Sequence, residues 1–134
     1  MIVVDTSAIV AILRREADAP VLRAEIVGAA RALVSSVSVV ELAAVASRDE
    51  ALFEDVRAFL NEPFVVVEPV DPAQARVAVE AYRRYGKGRH PAGLNLGDVF
   101  PYALARQRSL PLLFTGNDFS QTDIRSATDE RLRR

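Results

Sequence analysis

The chain has 134 residues, half of them hydrophobic and 26% charged, with a formal net charge of −1. That is enough for one domain with a core of its own, and too little positive charge to hold nucleic acid by bulk attraction. The absence of cysteine and the presence of one histidine, His90, exclude disulfides, thiolate zinc sites, cysteine nucleophiles, histidine acid–base pairs and histidine-rich metal sites.

Ile2-Val3-Val4 reads as a short strand buried on both faces. It stops at Asp5, and Thr6-Ser7 lead into an apolar helical run, Ala8 to Leu13. In an open α/β sheet, ligands bind where strands end and helices begin, so Asp5 stands at such a place, although an acid there also serves as a helix cap. Asp18 and Pro20 start a second helix, about 19–30. Arg31 to Ser35 reads as a second strand. Ser38-Val39-Val40-Glu41 has the spacing of a capping box ahead of an apolar run, which places Glu41 in the first turn of a third helix ending near Arg48. Asp49 to Leu60 is a fourth helix, with Leu52, Val56, Phe59 and Leu60 on one face.

Phe64 to Glu68 is the clearest strand, closed by Pro69. Asp71-Pro72 open a helix to about Tyr85. The segment 85–93 is a loop rich in glycine, carrying Lys87, Arg89 and His90 next to Arg83 and Arg84. It is either a solvated helix end, with cations favoured by the helix dipole, or a phosphate-contacting loop. His90 is read as a loop residue. Asn95 to Asp98 lead into a helix through about Gln107, with Pro101 near its start, where a missing N–H costs least. Leu110 to Phe114 is a fourth strand, ending in Thr115-Gly116-Asn117-Asp118. Ile124 to Ala127 is a candidate fifth, edge strand, and Asp129 to Arg134 a charged tail. No apolar run reaches the length of a membrane span, and Met1 leads directly into the first strand without a signal-peptide pattern, so a cytoplasmic protein is expected.

Short apolar strands alternating with helices predict an α/β fold. Its three layers enclose a central, mostly parallel sheet of four to five strands within a single domain, 1–134. Right-handed crossovers put strand ends and helix starts on one edge. Asp5, Glu41, Asp98 and Asp118 all fall at such points. Each has a capping explanation alone, but four carboxylates at one edge repel one another unless a cation neutralises them. With no histidine or cysteine on hand, oxygen ligands select a hard ion, Mg²⁺ or Mn²⁺. Thr6, Ser7, Asn95, Thr115 and Asn117 are placed to orient the carboxylates by hydrogen bonds. Such a site suits hydrolysis of a phosphodiester by an activated water.

Val3-Val4-Asp5-Thr6-Ser7, Glu41 within Ser-Val-Val-Glu-Leu, Leu94 to Asp98 ahead of a helix, and Leu113 to Phe119 resemble the PIN-domain ribonucleases, specifically the VapC toxins of bacterial toxin–antitoxin pairs. The order and spacing of these motifs carry the resemblance over the whole chain. It implies a PIN-like fold and a metal-dependent endoribonuclease acting on structured RNA such as tRNA or ribosomal RNA. By motif, Asp5 and Asp98 match core metal ligands. Glu41 matches the acid that binds metal directly or through water and helps activate the nucleophile. Many members carry an acid where this chain has Asn117, so either Asp118 takes that role or one ligand is missing. Ser7 and Thr115 match small hydroxyl residues near the metal. Arg83, Arg84, Lys87 and Arg89 are the candidate RNA contacts. A homodimer and a VapB antitoxin, whose C-terminal segment enters the acidic groove, are the implied partners. The other readings are a catalytically impaired PIN domain that binds RNA or protein, a receiver domain and a haloacid-dehalogenase phosphatase. A receiver needs a lysine after a late strand and the phosphatase an Asp-x-Asp at the first strand; the chain has neither.

Overall fold

The computed structural model describes residues 1–128. The proposed tail from Asp129 onward lies outside them. Chain order is β1 (Ile2–Val4), α1 (Thr6–Leu13), α2 (Ala19–Ala29), β2 (Ala32–Ser35), α3 (Ser36–Val45), α4 (Glu50–Leu60), β3 (Val65–Glu68), α5 (Pro72–Tyr85), α6 (Val99–Arg108) and β4 (Leu112–Leu113), followed by a 3-10 turn at Phe119–Gln121. The four strands form one parallel sheet in the order β3-β2-β1-β4.

Alternation along the strands builds the layers. Ile2, Val4, Ala32, Val34 and Leu113 face one core with Ile9, Leu22, Leu42, Leu52 and Val56 from α1 to α4. Val3, Leu33 and Leu112 face the other with Ala78, Tyr102 and Leu104 from α5 and α6. The expected α/β sandwich is therefore present. The fourth strand is shorter than expected. Pro111 cannot donate to the ladder, and it supplies only its carbonyl, to Val3 N at 3.0 Å. The fifth strand is reduced to a single parallel bridge, Leu112 to Ser126.

The capping box at Ser38 and Glu41 is not formed. Strand β2 passes into α3 with no loop, and Ser35, its last residue, accepts from Val37 N at 3.2 Å and caps the helix itself. Ser38 is thereby carried into the first turn with a buried hydroxyl that has no hydrogen-bond partner, and Glu41 into the second turn. Asp18 precedes α2 without a side-chain cap bond. Asp49 and Asp71 do cap, accepting from Leu52 N at 3.0 Å and Gln74 N at 2.7 Å. Pro101 is the third residue of α6, where the helix runs on undisturbed because the first N–H groups have no partner within the helix.

Helices α5 and α6 pack antiparallel. Gln74 Nε2 near the start of α5 donates to Gln107 Oε1 near the end of α6 at 3.1 Å, and Tyr85 at the end of α5 stacks near Tyr102 in the first half of α6, ring centres 6.0 Å apart. Asp98 therefore does not follow a strand. It reaches the sheet edge because the α5–α6 pair turns back there.

Candidate active site

Asp5 continues β1 by one residue, its N–H donating to Leu113 O at 2.9 Å. Its carboxylate accepts from Ser7 N at 3.0 Å and caps α1. Burial, at 5% exposure, pushes the carboxyl above the usual range, and the charge of Asp118 adds to the effect against hydrogen bonds from Ser7 and Thr6. The Ser7 hydroxyl accepts from Thr115 N at 3.1 Å. That bond ties the start of α1 to the loop that carries Asn117 and Asp118.

Glu41 projects from α3 toward the same place. The Thr6 hydroxyl donates to its Oε1 at 3.2 Å. Its carboxyl is raised by partial burial and by the Asp5 charge, with the Thr6 bond opposing. On its other side lies the backbone of Gly97: a Cβ built there would stand 2.0 Å from Glu41 Oε2. Gly97 lies within the Leu94 to Asp98 motif, but the sequence alone gives it no role. Its one signal was a glycine immediately before an acid, which has many explanations.

Asp98 precedes α6 but makes no side-chain cap bond. Its Oδ2 instead accepts from Asn95 N at 3.0 Å, while Asn95 Oδ1 accepts from Asp98 N at 3.0 Å, so the two residues lock the turn between them. Burial pushes the Asp98 carboxyl up to about 6, and the charges of Asp5, Asp118 and Glu41 add to it against the Asn95 bond. Asp118 is exposed at the start of the 3-10 turn, also without a side-chain cap bond. Asn117 is exposed as well, and its backbone carbonyl accepts from Ser120 Oγ at 2.7 Å. Capping thus accounts for Asp5 in part and for none of Glu41, Asp98 or Asp118.

The basic residues divide. Arg84 lies 3.9 Å from Asp123 and over the Tyr85 ring. Arg83 is exposed beside an apolar cleft between α5 and α6. Lys87 and Arg89 are exposed on a loop that is tied to the approach to Asn95 by the Gly86–Leu94 bridge. His90 Nδ1 accepts from Ala92 N at 3.0 Å and its ring packs edge-on against Tyr85, the structural role expected of it.

Among the described residues, no three His, Asp or Glu side chains are already gathered closely enough to enclose a metal ion. The donor set still fits a hard divalent cation. All the groups are oxygen donors. Burial and mutual repulsion destabilise three ionised carboxylates, a penalty that a double positive charge relieves. Small hard cations commonly keep several waters and take only one or two carboxylates, so a closed protein cage is not required. Among the described residues, no helix is long and apolar enough to cross a membrane.

Comparison with known proteins agrees with this geometry. The PIN domain family model matches residues 2–125. Ribonuclease VapC42 of Mycobacterium tuberculosis is 47% identical over 128 residues, covering 93% of this chain and 98% of that protein. The crystal structure of M. tuberculosis VapC20, a sarcin–ricin loop cleaving toxin, superimposes with a TM-score of 0.73 at 18% identity, over 92% of this chain and 96% of that one. A toxin–antitoxin complex from Klebsiella pneumoniae gives 0.70 at 17% identity, over 92% and 93%. The fold, the acidic sheet edge and the 47% identity over nearly the full length together assign the chain to the PIN-domain family and, within it, to the VapC ribonucleases, toxins of toxin–antitoxin pairs.

Proposed function

We propose that the chain is an endoribonuclease that hydrolyses RNA phosphodiester bonds with Mg²⁺ or Mn²⁺ held at the acidic edge by Asp5, Glu41, Asp98 and Asp118. One observation carries this reading: the carboxyls of Asp5, Glu41 and Asp98, from three separate segments, are all pushed above their usual range at the C-terminal edge of the sheet, first by burial and then by neighbouring carboxylates, Asp118 among them. When bound, the cation supplies charge neutralisation, a water of lowered pKa and stabilisation of the leaving oxygen. Asp5 and Asp98 are its main anchors, with Ser7 and Asn95 holding them. Glu41, steadied by Thr6, takes the proton from the water that attacks phosphorus, and the bridging P–O bond opposite breaks. Asp118 supplies the fourth charge in place of an acid at Asn117, and Thr115 holds its loop to Ser7. Lys87 and Arg89, with Arg83 beside them, contact RNA phosphates, whereas Arg84 is engaged with Asp123 and the Tyr85 ring.

The substrate class is structured RNA of the translation apparatus, tRNA or ribosomal RNA, which fits a protein working in the cytoplasm. The partner is an antitoxin that covers the acidic edge with a basic side chain, a reading supported by the fold shared with the Klebsiella toxin–antitoxin complex. A homodimer is supported by the apolar cleft of about 300 Å³ between α5 and α6, bordered by Val79, Tyr82 and Leu96, of which Leu96 is 71% exposed.

The test is cleavage of total RNA with Mg²⁺, with Mn²⁺ and with chelator, comparing the wild type with Asp98→Asn. Discrete fragments that require metal and vanish in the variant are expected. Cleavage that persists in Asp98→Asn overturns the site, and no cleavage by the wild type with either metal points to a binding module.

A further inference from the structure

We propose that Gly97 is a positioning residue for Glu41, and that its missing side chain is the seat in which the Glu41 carboxylate is held. This rests on the reading of the acidic edge as a cation-dependent nuclease site. The three nearest atoms to a Cβ at position 97 all belong to the end of Glu41: Oε2 at 2.0 Å, Cδ at 2.7 Å and Oε1 at 3.2 Å. No backbone reason for glycine competes with this one. Gly88, Gly93 and Gly116 have positive φ, whereas Gly97 does not, so alanine can adopt its conformation. The surrounding turn is not free to yield, because Asn95 and Asp98 hold it from both ends by their reciprocal bonds. The Glu41 carboxylate is the movable party, and it is fixed between two surfaces: the Thr6 hydroxyl on Oε1 and the Gly97 backbone against Oε2.

A methyl group at 97 therefore displaces the carboxylate by about 1 Å or more, enough to lose the Thr6 bond and to cost catalysis at a preorganised site. The same substitution is mild for folding, since what it strikes is the end of a flexible side chain. Gly97 thus acts on the chemistry through Glu41 and contributes little to the fold.

The experiment measures Mn²⁺ binding by calorimetry, RNA cleavage, and thermal unfolding in chelator. It uses the full chain as wild type, Gly97→Ala, Glu41→Ala, Gly97→Ala with Glu41→Ala, and Gly97→Ala with Glu41→Asp. Gly97→Ala is expected to weaken Mn²⁺ binding about 10-fold, the scale on which supporting contacts act at metal sites. It should lower kcat about 10- to 100-fold with little change in KM for RNA, and leave the unfolding temperature in chelator near that of the wild type. In the Glu41→Ala background, adding Gly97→Ala should change Mn²⁺ binding no further, because the group it displaces is gone. Adding Glu41→Asp to Gly97→Ala should restore part of the binding by drawing the carboxylate back. Wild-type binding and kcat in Gly97→Ala overturn the proposal. So does an equal loss of unfolding temperature in both backgrounds, which would make Gly97 a fold residue. A wild type that neither binds Mn²⁺ nor cleaves RNA overturns the nuclease reading itself and the proposal with it.

Discussion

Carboxylates in this molecule sit in two opposite surroundings, one at Asp123 and the other at the acidic edge. Asp123 faces Arg106 at 3.4 Å and Arg84 at 3.9 Å and accepts a hydrogen bond from the Tyr102 hydroxyl. Burial alone would raise its carboxyl; Tyr102 and the two arginines outweigh burial and hold it below the usual range. At the acidic edge, Asp5, Glu41 and Asp98 are all pushed the other way, and among the described residues no arginine or lysine contributes to their shifts. A carboxylate kept for structure brings its counter-charge with it. One kept for a cation leaves that charge to the ligand, and the apo protein bears the repulsion.

The largest expected break between the two groups is catalytic. Asp98→Asn, or Asp5→Asn, should lower RNA cleavage about 100-fold or more by removing charge where the cation sits. Asp123→Asn should leave kcat near the wild-type value. The stabilities should move in opposite senses. In metal-free buffer at neutral pH, Asp98→Asn should raise stability by about 1 kcal/mol, a fraction of its full pKa displacement because the group is partly exposed. Tyr102→Phe, which takes a hydrogen bond from the charged Asp123, should lower stability by about 1–2 kcal/mol. Urea unfolding with and without chelator reads both, and an Asp98→Asn protein that unfolds more easily would mark Asp98 as structural.

The next effect is a pH dependence of opposite sign at the two sites. Asp98 has a folded value of about 6 against an ordinary 3.8. Between those values the folded chain keeps a proton that the unfolded chain has lost, so the stability it contributes is full below the lower value and gone above the higher. Metal-free protein should accordingly lose stability as pH rises from about 4 to 6 through this group, and Asp98→Asn should flatten that slope. Asp123, held low, contributes stability above its ordinary range and loses it as pH falls. A slope unchanged in Asp98→Asn would remove the electrostatic part of the comparison.

The contrast also explains what was legible in the sequence. Strand β1 ending at Asp5, the helix start at Asp71-Pro72, and the apolar runs of β2 and β3 are local patterns, and they appear where periodicity and capping chemistry put them. Ser38 and Glu41 satisfied a local rule too, but the junction of β2 and α3 has no loop, and Ser35 took the cap first. Asp98 was expected at the sheet edge because helix starts follow strands there. It arrives by packing instead, through the antiparallel α5–α6 pair, which no local pattern encodes. Gly97 was invisible for the same reason, since what it must avoid comes from a distant helix. Nothing in the spacing of Arg84, Tyr102 and Arg106 reveals that they converge on Asp123.

The smallest effect concerns the basic residues, and it sharpens the comparison at the level of single arginines. Arg84 is already engaged with Asp123 and the Tyr85 ring, while Lys87 and Arg89 stand exposed on a loop tied to the segment before Asn95. Charge already balanced within the fold has less to offer a phosphate than charge held in solvent. Lys87→Ala and Arg89→Ala should therefore each weaken RNA binding to a catalytically silent Asp98→Asn protein, and each should reduce the slope of log affinity against log salt by about 0.7–0.9. Arg84→Ala should leave that slope closer to its starting value and show its effect in unfolding instead. Binding titrations at several salt concentrations separate the two. A slope that falls most for Arg84→Ala would mean that the Asp123 cluster faces RNA, and the division between a structural and a functional set of charges would have to be redrawn.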